Sequence, residues 1–233
     1  MESIPHSTNF CGGNFQDWLE VNLTKNCQAK CAWCIDRNAY HPPTSAHWET
    51  IVKMALITGK QNIILLGGEP TLHPDLEKIC SALHVNGRRV WITTNGALLT
   101  PEFVRNKLQH VYGVNISVHH YIMSENAKIT HLKLNGTVLK ESIAQMHRFG
   151  INVRMNCNLI KGFVDSYSGV IDYVRWAMEI GADRVRFAEL KIDEENFVDA
   201  RNCFPDHFNL PEDPYKDGCN KDGMCLEFPL MYV

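Results

Sequence analysis

The sequence predicts an α/β fold of about six strand–helix units, which pattern alone leaves as either an open doubly wound sheet or an incomplete (β/α) barrel. Short runs rich in Val, Ile and Leu recur through most of the chain, as buried parallel strands require. Between them, apolar residues return at helical spacing on one face. Pro, Gly and Thr punctuate the boundaries where helices should start and stop.

The expected strands are Trp18 to Leu23, Asn62 to Leu66, Arg89 to Thr93, Val114 to Val118, Val153 to Leu159 and Arg184 to Leu190. The expected helices carry Trp48, Ile51, Val52, Ala55 and Leu56, then Leu76, Ile79, Cys80 and Leu83, later Leu139, Ile143 and Met146, and finally Val170 to Ile180. Pro74 and Pro101 stand where first helical turns should begin, Thr100 is a candidate N-cap, and Gly87, Gly150 and Gly181 are candidate stops. In either architecture the functional site belongs at the carboxyl ends of the strands.

The chain has 233 residues, 45% of them apolar, enough for one sizeable core. A formal net charge of −3 without a Lys or Arg run argues against non-specific nucleic-acid binding. MESIPHSTNFCGG at the N-terminus lacks the basic flank and apolar stretch of a signal peptide. The longest apolar run, Ile63 to Leu66, is too short to span a bilayer. A cytoplasmic protein with no membrane partner is expected. Its nine cysteines then read as metal ligands or buried thiols rather than a disulfide framework.

Cys27, Cys31 and Cys34 follow the first strand with the spacing C-x3-C-x2-C in LTKNCQAKCAWC. Three thiolates on a 4Fe-4S cube leave one iron open, unlike the four-cysteine sites of electron carriers. An open position is what separates catalytic from closed structural metal sites. A zinc ribbon would want a second pair of cysteine knuckles, and an electron carrier would want a fourth ligand.

These residues resemble the radical S-adenosylmethionine (SAM) superfamily, whose hallmark is this motif after the first strand of a partial (β/α)6 barrel. The resemblance implies a partial (β/α)6 TIM-type barrel over residues 18–191, a lead-in at 1–17 and a short Cys-containing C-terminal extension at 192–233. It also implies a 4Fe-4S cluster on Cys27, Cys31 and Cys34, with SAM chelated at the open iron. Trp33 takes the aromatic place near the adenine, ordinary packing being the alternative. Gly67, Gly68, Glu69 and Pro70 resemble the motif that receives the SAM amino group, where carbonyls and a carboxylate can accept from an ammonium. Thr94 and Asn95 in TTNG, Ser117 on the fourth strand and Asn156 on the fifth resemble segments near SAM or the substrate.

Over the barrel the nearest likeness is to the molybdenum-cofactor GTP cyclase branch, carried by VRMNCNLIKG from Val153 and VRFAEL from Val185. On that analogy Arg154 meets substrate, an ion-paired or surface arginine being the alternative. Glu20 stands where that branch has a substrate-contacting arginine, and the chain ends soon after the barrel, so GTP cyclisation itself is not expected. His119, His120 and Tyr121 form a polar cluster after the fourth strand. All three are candidate substrate or catalytic groups, with a structural histidine as the alternative. Cys203, Cys219 and Cys225 are candidate ligands of an auxiliary 4Fe-4S cluster, while Cys11, Cys80 and Cys157 read as structural.

The resulting expectation is a radical SAM enzyme that takes one electron from a donor such as flavodoxin or ferredoxin, splits SAM and removes a hydrogen from a nucleotide-like or other small molecule. A peptide or protein substrate is the alternative, suggested by the Cys-containing tail.

Overall fold

The computed structural model describes residues 17–34, 47–190, 194–204 and 225–230. Strands β1 (Trp18–Thr24), β2 (Asn62–Gly67), β3 (Arg89–Thr94), β4 (Gly113–Ser117), β5 (Asn152–Asn158), β6 (Arg184–Ala188) and β7 (Cys225–Pro229) form one sheet in sequential order. Pairs β1 to β6 are parallel, and β7 runs antiparallel to β6. A doubly wound sheet reverses its strand order at a switch point. This order never reverses, so the sheet is barrel-like, in agreement with the partial barrel implied by the family resemblance.

The helices are α1 (Trp48–Ile57), α2 (Leu76–Val85), α3 (Pro101–Lys107), α4 (Met123–Thr130), α5 (Gly136–Arg148) and α6 (Tyr167–Ile180). Thr100 caps α3 as expected, its Oγ1 accepting from the Phe103 N–H at 3.0 Å, and Pro101 opens that helix. Pro74 does not open α2. The helix begins two residues later, after Asp75. Gly87 and Gly150 follow the caps of α2 and α5, and Gly181 caps α6, all at positive φ.

Two elements escaped the sequence reading. Helix α4, MSENAKIT, carries few apolar residues for a periodic signal. Strand β7 falls in the extension and takes its register from β6, a non-local partner that local pattern does not reveal. Strand ends also shift: Gly113 belongs to β4, whereas Val118, Leu159 and Leu190 lie beyond their strands. Gly113 fits because the Trp91 ring lies against it, and a Cβ there would stand 2.3 Å from that ring.

Alternate residues of β2 to β6 serve two different faces. Ile63, Leu65, Val90, Ile92, Val114, Ile116, Val153, Met155, Val185 and Phe187 are buried in one cluster with Leu76, Ile79, Leu83, Ile143, Met146 and Tyr173 of the helices. Cys80 and Cys157 are fully buried there, as expected of structural cysteines. Burial pushes the Cys80 thiol up to about 12.

The opposite face is apolar at Ile64, Leu66 and Trp91 of β2 and β3 and mainly polar over the rest of β3 to β6. Register places Thr93, Asn115, Arg154 and Arg184 side by side on β3 to β6. The next row, toward the carboxyl ends, holds Ser117, Asn156, Arg186 and Glu227. Among the described residues no helix is long and apolar enough to cross a membrane.

Candidate active site

The cysteine loop leaves the carboxyl end of β1 and is held from two sides. Gly68 N donates to Thr24 O at 2.6 Å and Glu69 N to Asn26 O at 2.7 Å, stitching the end of β2 onto the loop. On the far side Lys30 N donates to Thr130 O at 2.9 Å, at the last turn of α4. The glycine pair has a specific reason. A Cβ on Gly67 would lie 2.4 Å from Thr24 O, and one on Gly68 2.4 Å from Asn26 O, so no larger residue lets the two backbones approach this closely.

Glu69 is 1% exposed and joins three segments. Its Oε1 accepts from Thr71 N (3.0 Å), Thr71 Oγ1 (2.5 Å) and Thr94 Oγ1 (2.7 Å), and its Oε2 from Asn95 N (2.7 Å). Four donors go far toward satisfying a carboxylate's roughly four lone-pair sites. In this arrangement Glu69 and Thr94 organise the site, with Pro70 buried at the start of the short 3-10 turn Pro70–Leu72.

Asn95 then reaches the cysteines. Its Nδ2 donates to Cys27 Sγ at 3.7 Å while its Oδ1 accepts from Ala97 N (3.0 Å) and Gln28 Nε2 (3.4 Å). Partial desolvation of the sulfur pushes the Cys27 thiol above its ordinary range, and the nearby Glu69 and Cys34 push it further, against the Ala29 backbone and Asn95 hydrogen bonds. A thiol so placed becomes a thiolate when a cation binds it. Beside it, Gln28 Oε1 is buried without a partner among the described residues. Three thiols in one loop, an amide donor on one sulfur and an orphaned acceptor alongside fit an open-cornered iron–sulfur cluster with a donor-bearing ligand.

Trp33 packs with Ile129, Ile160, Phe163 and Leu190, a small cluster apart from the main core. It also meets the His119 ring edge to face, centroids 5.2 Å apart. His119 is held through its ring Nδ1 and its backbone. Its Nδ1 accepts from Asn158 N (3.1 Å), its backbone N donates to Asn126 Oδ1 (2.8 Å), and its carbonyl receives the Cys157 thiol (3.6 Å). Burial pushes its pKa down to about 4, and the Nδ1 bond assigns the proton of the neutral ring to Nε2.

His120 is buried too. Its Nδ1 accepts from Ile122 N (3.0 Å), its ring stacks on Tyr121 at 4.5 Å, and burial lowers its pKa. The Tyr121 hydroxyl donates to Asp172 of α6 at 3.5 Å, which takes it to the helix layer.

The remaining candidates fall in three places. Ser117 and Asn156 are register neighbours on the polar face, and Asn156 Oδ1 is buried without a partner among the described residues. Arg154 is ion-paired, its Nη1 donating to Glu227 Oε2 at 2.6 Å. Cys203 lies fully buried in the main core with Phe187 and Phe204, its thiol pushed up to about 12 by burial. Cys219 is outside the described residues, and Cys225 opens β7. The described residues do not assemble the auxiliary cysteine set. Sequence reading singled out none of Gln28, Asn126, Asn158 and Glu227, although Gln28 lies inside the cysteine motif and Asn158 in the fifth-strand segment. Only Glu227 left a trace, one charged residue alternating with apolar ones in CLEFP.

Residues 21–174 match the family model described as the radical SAM superfamily. The chain belongs to that superfamily, whose cofactors are the 4Fe-4S cluster and SAM for which the cysteine loop called. Among its relatives, the GTP 3',8-cyclase of Aquifex aeolicus (strain VF5) is 29% identical over 180 residues, covering 73% of this chain and 55% of that protein. The mitochondrial GTP 3',8-cyclase of Arabidopsis thaliana is 29% identical over 205 residues, 83% of this chain and 51% of the relative. The chain thus spans about half the length of these relatives. The fold is shared with Streptococcus suis SuiB bound to S-adenosylmethionine, at a TM-score of 0.59, 22% identity and coverage of 72% of this chain and 39% of that one.

Proposed function

We propose that this protein is a radical SAM enzyme that cleaves SAM reductively and abstracts a hydrogen from a nucleotide-like or other small molecule. The observation that carries this reading is the stitching of the three-cysteine loop to the Gly-Gly-Glu-Pro turn through Gly68, Glu69 and Asn95. When bound, the cluster supplies the electron that splits SAM into methionine and a 5'-deoxyadenosyl radical.

The chain's own residues do the positioning. Cys27, Cys31 and Cys34 would hold the cluster, with Asn95 stabilising charge on the Cys27 sulfur through its amide N–H. Gln28 Oε1 and the backbone carbonyls around Gly68 would receive the SAM ammonium. Trp33, braced by His119 and the apolar cluster of Ile129, Ile160 and Leu190, would offer its ring to the adenine and keep water from the reacting centre. Substrate would enter from the carboxyl ends of the strands, over Ser117 and Asn156. An external one-electron donor of the flavodoxin or ferredoxin kind would reach the exposed cysteine loop.

The GTP 3',8-cyclase relatives support a nucleotide-like substrate. Anaerobic reconstitution followed by SAM and dithionite tests the reading. The wild type should release 5'-deoxyadenosine, and the Cys27, Cys31, Cys34 triple Ala variant should bind no iron and release none. A reconstituted wild type that leaves SAM intact would reject it.

A further inference from the structure

On the polar face of the sheet, arginines of two strands share one carboxylate. Glu227 on β7 accepts from Arg154 Nη1 with Oε2 (2.6 Å) and from Arg184 Nη1 with Oε1 (2.8 Å). One carboxylate therefore bridges guanidiniums on two neighbouring strands. The Arg154 and Glu227 side chains are each 19% exposed, so the pair interacts largely out of water, where charge-assisted hydrogen bonds are strong. Burial alone would push the Glu227 carboxyl up, yet Arg154 and Arg184 hold it below its ordinary value. Glu20, in register with Ile64 and through it with Trp91, adds a second carboxylate to this side of the sheet.

An incoming phosphate would have to displace a tethered carboxylate, which competes at high effective concentration. Uncharged groups meet the opposite situation. Asn115 is 2% exposed, its Nδ2 donates to Thr93 Oγ1 at 3.1 Å, and its Oδ1 has no partner among the described residues. Asn156 Oδ1, one row nearer the carboxyl ends, is likewise buried and unmatched. A buried acceptor left unmatched costs about 1–3 kcal/mol, which a ligand N–H or O–H restores.

We propose that Glu227 sets the charge selectivity of the barrel lumen. By bridging Arg154 and Arg184 it competes with phosphate and carboxylate groups for both guanidiniums, so the part of the substrate favoured there is uncharged and presents N–H or O–H donors to Asn115 and Asn156. Hydroxyls, amides and nucleobase amino groups have this chemistry, and any anionic group stays at the mouth. The inference rests on the reading that substrate enters this barrel.

Calorimetric titration of the reconstituted protein with inorganic tripolyphosphate tests it without SAM or turnover. Wild type should bind the anion weakly, Glu227→Gln should bind it about tenfold tighter or more, and adding Arg154→Met to that variant should abolish the gain. If Glu227→Gln does not fold, Glu227→Asp, too short to hold both arginines, should show a smaller gain of the same kind. Equal anion affinity in wild type and variant, or a gain that survives Arg154→Met, would each overturn the proposal. 5'-Deoxyadenosine release on the same preparations reports separately on the radical SAM reading.

Discussion

The two faces of β3 to β6 are made from alternate residues of the same strands and answer to different physics. Val114, Ile116, Val153 and Met155 point into the helix layer and are fully buried or nearly so, so each contributes through apolar area removed from water. Their immediate neighbours Asn115, Arg154 and Asn156 point the other way and contribute through pairing, or leave acceptors open. Stability is thus concentrated on one face, and the capacity to recognise a ligand on the other. Mutations one residue apart should therefore have effects that differ in kind as well as size.

The largest effect is expected on the helix side. Ile116→Ala removes a fully buried side chain from the centre of β4 and should lower stability by about 2–5 kcal/mol, measured as a shift of the urea midpoint at constant slope. SAM cleavage per folded molecule should fall less than stability does, because the Ile116 side chain belongs to the apolar cluster of the helix layer.

His119 is the place where the faces meet, since it is buried yet braces Trp33. Its pKa lies at about 4 rather than near 6.5 because burial disfavours the charged ring. The unfolded chain therefore binds a proton that the folded chain refuses. Stability contributed by the neutral ring is complete above pH 6.5 and falls as pH drops from there toward 4, by ~3 kcal/mol in all. His119→Gln keeps an acceptor for Asn158 N–H and does not titrate. Its stability should fall less steeply over that window, and equal slopes in the two proteins would show that His119 is solvated.

Glu69→Gln replaces one carboxylate oxygen by an NH2 that faces donors instead of accepting from them. With Thr71, Thr94 and Asn95 all donating to Glu69, the change should cost about 1–3 kcal/mol. It should also weaken SAM binding, followed by the perturbation of the reduced cluster's EPR spectrum on adding SAM. An unchanged spectrum and affinity would mean that the Gly-Gly-Glu-Pro turn is not coupled to the cysteine loop.

The outer face was readable in the sequence because periodicity is a local signal: the apolar residues of β2 to β6 and of α2, α5 and α6 repeat at the spacing their burial requires. The cysteine spacing was readable because a cluster imposes it within eight consecutive residues, Cys27 to Cys34. Partnership across the chain was not. Arg154 was expected at a substrate, but nothing near it reports Glu227, which lies 73 residues away. His119 read as a reactive group at a strand end, and only the fold shows the Asn158 N–H on its Nδ1 and Asn126 holding its backbone. Cys203 stood among candidate ligands because composition counts thiols without seeing that Phe187 and Phe204 enclose this one.

The smallest effect should come from the residue next to Ile116. Asn115→Leu removes the 3.1 Å bond to Thr93 and also the unmatched buried Oδ1. Losing a neutral hydrogen bond costs about 0.5–1.5 kcal/mol, and removing a buried acceptor without a partner recovers a similar amount. The two nearly cancel, so stability should change by less than about 1 kcal/mol in either direction. A loss as large as that of Ile116→Ala would mean that the polar rows are structural core, with their acceptors matched by bound water, and no chamber for a ligand would remain. Near-neutral stability is what a surface kept polar for a visiting molecule predicts, since such a surface gives little to the folded state until its partner arrives.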